Sequence, residues 1–252
     1  MSKNILFVTE GKRAEPRFLE KIVALMRTYT DYKVFSYGTN LYKMIDGMFI
    51  GDEIDRDLDF IDYLRSCKTG NNDPSILDNK FSDIFLIFDM DPHDHFYYPE
   101  RMLKALRYFS DSTDNGKLYI NYPMFESVRH ITNLDDLSFL DLRVNKDEIR
   151  NYKRIVNEQG LVLLSDKSKI YETTMMKIIV LNLRKANMMI GGSTDIPTSE
   201  KYEDATSQQG LFVRQNEEYV NEGKVFVLNT CIFNIIDYNP GRFFGTITRM
   251  GL

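Results

Sequence analysis

The chain has 252 residues, 43% of them hydrophobic and 27% charged, with a formal net charge of −5. That length accommodates one large domain or a core with an elaborate insertion, and the composition is that of an ordinary soluble globular protein. No stretch of about 18 apolar residues is present, which argues against a membrane span; the mildly acidic balance argues against a large basic surface, so any nucleic-acid contact is expected to be local or assisted by a partner.

Residues 4–8, "NILFV", are predicted as the first strand. The Met-Ser-Lys-Asn start runs directly into it, without the longer apolar core and cleavage site of a signal peptide. Cys67 and Cys231 lie far apart and make no metal-ligand spacing, so the expectation is a cytoplasmic protein with two reduced thiols. From Arg13 the pattern turns helical, with Phe18, Leu19, Ile22, Val23, Leu25 and Met26 forming a stripe and Pro16 in the first turn. "YKVFSYG" is a second strand, followed by helical patterning through Leu41, Met44, Ile45 and Met48 and then Leu58, Ile61 and Leu64. "DEIDRDLD" (52–59) reads as a solvated helix face and "NNDPSILDN" (71–79) as loop.

"DIFLIFD" is a third strand, nearly continuously apolar as in a parallel sheet covered on both faces. "YYPERMLKALRYF" (97–109) is a predicted helix, "SDSTDNG" a turn, and "KLYINYP" (117–123) a fourth strand. Alternating strands and helices over residues 1–125 predict an α/β layer fold with a mainly parallel sheet. Beyond residue 125 the period changes, and "ESVRHITNLDDLSFLDL", "KDEIRNYKRIVNEQG" and "IYETTMMKIIVLNLRKANMMI" are expected to be helical. Residues 191–210 read as a mobile loop, and "KVFVLNTCIFNIIDYN" (224–239) is assigned to helix on its length. The expected organisation is a catalytic core over 1–127 with a helical region, 128–252, packed on it.

Ligands of parallel α/β sheets sit outside the carboxyl ends of the strands. The first strand delivers Glu10 and Gly11 to that edge, the third delivers Asp89, Asp91 and Asp94, and the fourth leads through Pro123 to Glu126. A glutamate with an Asp-x-Asp makes an oxygen cage for Mg²⁺ or Mn²⁺, and clustered carboxylates repel one another unless a cation neutralises them.

"ILFVTEGKRAEPRFLEKI" followed by "FLIFDMD" resembles the Toprim domain of topoisomerases, primases and OLD-family nucleases, in which a strand ends in Glu-Gly and a later one in Asp-x-Asp. The shorter members, similar to RloB and to the Toprim effectors of phage defence, carry an Asn-Pro-x-Phe-Glu segment that "NYPMFES" (121–127) resembles with one residue inserted. Over residues 4–127 the resemblance implies a Toprim-like Rossmannoid core. Glu10 would be acid, general base and metal ligand, with Asp89 and Asp91 holding Mg²⁺ or Mn²⁺. Glu126 would be an accessory acid or a structural partner, Gly11 would allow close backbone approach, and Lys12 and Arg13 would meet phosphate at a helix N-terminus. His93 is a candidate substrate contact or proton shuttle, Asp94 a turn or N-cap residue ahead of a third ligand, His130 a packed histidine, and the aromatics of "HFYYPE" are assigned to the core ahead of the alternative that they stack a base.

The chain departs from the topoisomerase pattern Asp-x-Asp-x-x-Gly, having "DMDPHDH", and no tyrosine stands out as a nucleophile. The expected function is therefore metal-dependent hydrolysis of DNA or RNA, tRNA included, by an effector of prokaryotic anti-phage defence. Rival readings are a non-catalytic Toprim-like subunit beside an ATPase, a haloacid-dehalogenase-like phosphatase and a sugar-nucleotide transferase. The chain has no Gly-x-x-x-x-Gly-Lys-Ser/Thr loop, so ATP dependence would come from a partner ATPase. For residues 130–252 three roles stand open: substrate binding, homo-oligomer formation and docking on a sensor.

Overall fold

The structure, a computed structural model, describes residues 4–26, 31–55, 57–67, 73–160 and 171–252. The chain divides into two compact units, Met1–Val23 with Tyr29–Tyr119 and Ala24–Thr28 with Ile120–Leu252. The first is built on a five-stranded, mostly parallel sheet of order β2-β1-β5-β7-β6. Its central strand pair is β1 (Asn4–Thr9) and β5 (Asp83–Asp89), parallel with Ile5 opposite Asp83 and Thr9 opposite Ile87. On the other side of β1 lies β2 (Asp31–Ser36), also parallel, Thr9 facing Ser36. The apolar runs are explained by this position: Ile5–Val8 and Phe85–Phe88 are fully buried, and Phe7 packs on Phe85 with ring centroids 5.5 Å apart. Each such side chain contributes roughly 1.5–3 kcal/mol of burial.

Helix α1 (Ala14–Met26) buries the expected stripe of Phe18, Leu19, Ile22, Val23 and Met26. The short α2 (Leu41–Asp46) starts at Asn40, whose side chain accepts the Lys43 N–H, as amide oxygens do at helix starts. Of the helix face expected at 52–59, residue 56 lies outside the described residues, and the described ones are not helical. They fold into a hairpin of β3 (Phe49–Ile50) with β4 (Glu53–Ile54), turned at Gly51 (φ +64°), and lead to Asp59, which caps α3 (Phe60–Ser66). The acids that suggested a solvated helix are those of a tight turn and a cap. Cys67 ends α3, half-buried, within 3.6 Å of the Tyr37 hydroxyl. Of the expected loop at 71–79, residues 71 and 72 lie outside the described residues, and Pro74–Asp78 form a 3₁₀ turn capped by Asp73. Helix α4 (Pro99–Tyr108) begins with proline, and the hairpin of β6 (Ser110–Asp111) with β7 (Gly116–Asn121) completes the sheet.

In the second unit several expectations are corrected. Residues 126–142 form no α-helix but two 3₁₀ turns, Phe125–Arg129 and Ser138–Asp141. Between them Asn133 and Asp136 accept the backbone N–H groups of Asp135 and Ser138, and such local side-chain bonds compete with helix. The stretch from Lys146 is a 3₁₀ turn to Asn151 and then α5 (Tyr152–Gln159). The helix Glu172–Gly191 is present as expected and buried over most of its surface, with Met175, Met176, Ile179 and Leu183 inaccessible. Residues 192–198 are loop, held by Arg184 and Asn187, which donate to the Thr194 and Asp195 carbonyls; helical structure then resumes at Ser199–Lys201 and Tyr202–Ala205. Two further helices were not anticipated, Gln208–Glu222 and Pro240–Met250.

Residues 224–239 are not one helix. Lys224–Phe226 form β9, antiparallel to β8 (Arg143–Asn145), and only Asn234–Tyr238 is α-helical. The extended part is held by amide side chains: Gln215 brackets Phe226 by accepting its N–H and donating to its carbonyl, both at 3.0 Å. Asn182 accepts the Asn229 N–H at 2.9 Å, and Asn121 accepts that of Cys231. Cys231 is buried, its thiol 3.1 Å from Asn229 Oδ1.

Candidate functional site

Parallel pairing in register brings the exits of β1 and β5 to one edge of the first unit. The Glu10 N–H donates to the Ile87 carbonyl (3.1 Å), so the ladder continues one residue past Thr9. Two residues beyond Ile87, the Asp89 N–H donates to Glu10 Oε2 at 3.2 Å. Two acids 79 residues apart are thereby made neighbours, each partly exposed at the end of a buried strand. The β2 exit joins the same edge through Tyr37 N–H on the Thr9 carbonyl (2.7 Å) and Gly38 N–H on the Glu10 carbonyl (3.0 Å).

After Asp89 the chain turns tightly. Asp91 is exposed, its Oδ1 accepts the His93 N–H (3.2 Å), and its own N–H donates to the hydroxyl of the buried Tyr42 (3.2 Å). Asp94 acts as a turn residue: Oδ1 accepts the Phe96 N–H (2.8 Å), and Oδ2 accepts from Asn40 Nδ2 (2.6 Å). This last bond ties the loop after β5 to the start of α2.

The turn after Glu10 is held from below. Glu15, in the first turn of α1 and buried, accepts the Gly11 N–H through Oε1 (3.2 Å). A Cβ at residue 11 would lie 2.5 Å from Glu15 Oε2 and 2.8 Å from Oε1, so any larger residue there would have to displace the Glu15 carboxylate from the Gly11 N–H. Lys12 and Arg13 follow, both exposed, where the N-terminal end of α1 favours negative charge. The Lys12 side chain lies against Gly38, where a Cβ would be 3.0 Å from Lys12 Cε.

The structure thus brings Glu10, Gly11, Lys12 and Arg13 to the same edge as Asp89, Asp91 and His93. Glu126 belongs to the second unit, nearly buried, with Oε1 3.3 Å from Lys153 Nζ, an environment that suits the structural-partner alternative. His130 is buried between Tyr152 and Gln159 as a packed residue. The assignment of the "HFYYPE" aromatics to the core is corrected: Phe96 is 42% and Tyr98 49% exposed, and only Tyr97 packs inward, edge-on to Tyr42 at 5.6 Å. Sequence reasoning missed Glu15, Asn40 and Tyr42. A glutamate in the first helical turn is a recognisable capping signal for Glu15, whereas nothing local marks Asn40 or Tyr42 as partners of Asp94 and Asp91.

Among the described residues, no group of three or more His, Cys, Asp or Glu side chains stands arranged to hold a metal ion. The edge instead carries three hard carboxylates that are not gathered into one group, Glu10, whose Oε2 accepts the Asp89 N–H, Asp89 itself and Asp91 two residues on. That set fits Mg²⁺ or Mn²⁺, because Mg²⁺ usually takes one or two carboxylates and completes its shell with water and substrate phosphate. Comparison with protein-family models, with curated proteins and with solved structures returned no match to this chain.

Proposed function

We propose that this chain is a Mg²⁺- or Mn²⁺-dependent nuclease that hydrolyses phosphodiester bonds at the edge formed by β1 and β5. One observation carries the reading: the Glu10 carboxylate accepts the Asp89 N–H at 3.2 Å, at the strand end where parallel sheets bind ligands. Glu10 and Asp89, with Asp91, would hold the cation, which when bound supplies charge neutralisation for the phosphoryl oxygens and the leaving oxygen. The Asp89 N–H fixes Oε2 and so orients the Glu10 carboxylate to take the proton of the attacking water as the phosphorus–oxygen bond breaks. Lys12 and Arg13 offer positive charge to the phosphate backbone. The order Glu-Gly after β1 and Asp-x-Asp after β5 agrees with the Toprim resemblance. The role as a defence effector, with a partner ATPase or sensor, rests on that resemblance.

The test uses isosteric variants. Glu10→Gln keeps an oxygen acceptor for the Asp89 N–H while removing the charge, and Asp89→Asn leaves the backbone donor in place. Purified protein is given labelled DNA, RNA and bulk tRNA with EDTA, Mg²⁺ or Mn²⁺. Cleavage is expected only with metal and is expected to fall by about 100-fold or more in each variant. Wild-type rates in both variants would remove the site.

A further inference from the structure

We infer that Phe96 and Tyr98 form a stacking surface for unpaired bases, which makes single-stranded nucleic acid the substrate class; the inference rests on the nuclease reading. Two large rings separated by one residue stand 42% and 49% exposed in a loop that begins at the candidate acids. The backbone carrying them is fixed. Phe96 N–H is held by Asp94 Oδ1 (2.8 Å) and Tyr97 N–H by the Asp94 carbonyl (3.1 Å). Tyr98 is the residue before α4, and its carbonyl accepts the Met102 N–H (3.0 Å). Tyr97, between the two rings, is anchored on Tyr42, the residue whose hydroxyl also accepts the Asp91 N–H. The exposed rings and Asp91 therefore share one support.

The occupant follows from chemistry and reach. Phe96 lies five positions after Asp91, at most about 18 Å of chain, a distance that a short oligonucleotide covers. The Arg101 guanidinium, paired with Asp46 at 2.7 Å, lies over one face of the Tyr98 ring, 5.7 Å from its centroid, so a base would stack on the opposite face. Lys12 and Arg13, on the turn after Glu10, supply charge for the backbone. A base can stack on an aromatic ring only where its own face is uncovered; paired bases inside a duplex are covered on both sides, and strands, loops and ends are not.

Binding is measured apart from cleavage, by fluorescence anisotropy of the full chain in EDTA, with labelled twelve-nucleotide single strands of RNA and DNA and the matching duplexes. The expected result is tighter binding of single strands, a loss on the order of 10- to 100-fold in the Phe96→Ala, Tyr98→Ala double variant, and retained affinity in Tyr98→Phe. Absence of single-strand binding by wild type, equal affinity for duplex, or an unchanged double variant would overturn the stacking surface. So would a double variant that loses self-association in sedimentation but keeps its affinity for strands, since the rings would then serve a protein interface. Cleavage of the same strands with Mg²⁺ or Mn²⁺ separates the two ideas. Ring-dependent binding without cleavage leaves the surface standing and removes the nuclease. Cleavage indifferent to strandedness and to both rings does the reverse.

Discussion

His130 shows how one buried side chain makes the protein sensitive to pH. Its ring is satisfied as a neutral imidazole: Nε2–H donates to Gln159 Oε1 (3.2 Å), and Nδ1 accepts the Tyr152 hydroxyl proton (3.0 Å). Burial holds its pKa below the ordinary 6.5, and the hydrogen bond to Gln159 opposes that only in part. The unfolded chain therefore binds this proton more readily than the folded one, so stability is complete above about pH 6.5 and is lost as pH falls below it. Urea midpoints measured at pH 7.5 and pH 5.5 should fall in wild type and fall less in His130→Gln. Equal pH slopes in the two proteins would refute the assignment. From sequence alone His130 reads as packed, four residues after Glu126 in a stretch expected to be helical. Its partners, 22 and 29 residues away, were beyond local pattern.

At the scale of elements, legibility followed where the backbone finds its hydrogen bonds. Strands β1, β2, β5 and β7 were readable because each is an apolar or alternating run whose bonds go to neighbouring strands. The segment 224–239 was equally apolar, yet its extended part depends on Gln215, Asn182 and Asn121, residues that no window around it contains. Helix Gln208–Glu222 was overlooked for a related reason: its buried set includes polar Gln208, Gln215 and Glu218, which blur an apolar stripe. Gln215→Ala would leave both backbone groups of Phe226 without partners at a buried position. A loss of about 2–6 kcal/mol is expected in chemical denaturation, because each of the two orphaned groups costs about 1–3 kcal/mol. A neutral Gln215→Ala would mean that β9 is held by its ladder with β8 alone.

Across the whole molecule, the resemblance that stops at residue 127 differs from where the chain partitions. Ile120 onward belongs to the second unit. There Tyr122 exchanges both backbone bonds with Leu228 (2.8 and 2.9 Å), the Ile120 carbonyl accepts from Thr230, and the Phe125 carbonyl accepts from Asn229. A fragment of residues 1–127 retains every strand of the large sheet but loses all these partners. It is expected to aggregate or to bind a hydrophobic dye where the full chain does not. A soluble fragment with a dispersed amide spectrum would refute this. The site shows the same division between near and far information. That Glu10 and Asp89 reach one edge was legible because each ends a readable strand, whereas the exposure of Phe96 and Tyr98 is a three-dimensional property that an aromatic-rich string conceals.

The two thiols give the molecule a pair of internal clocks. Cys67 lies half-buried in the first unit and Cys231 wholly buried in the second, and neither is tied up in a disulfide. A disulfide reagent in solution meets each sulfur only as often as its own surroundings open, so the two labelling rates report local opening of the two units separately and without any engineered probe. Should they differ by orders of magnitude in the native protein and converge near the denaturation midpoint, the units breathe independently and come apart together.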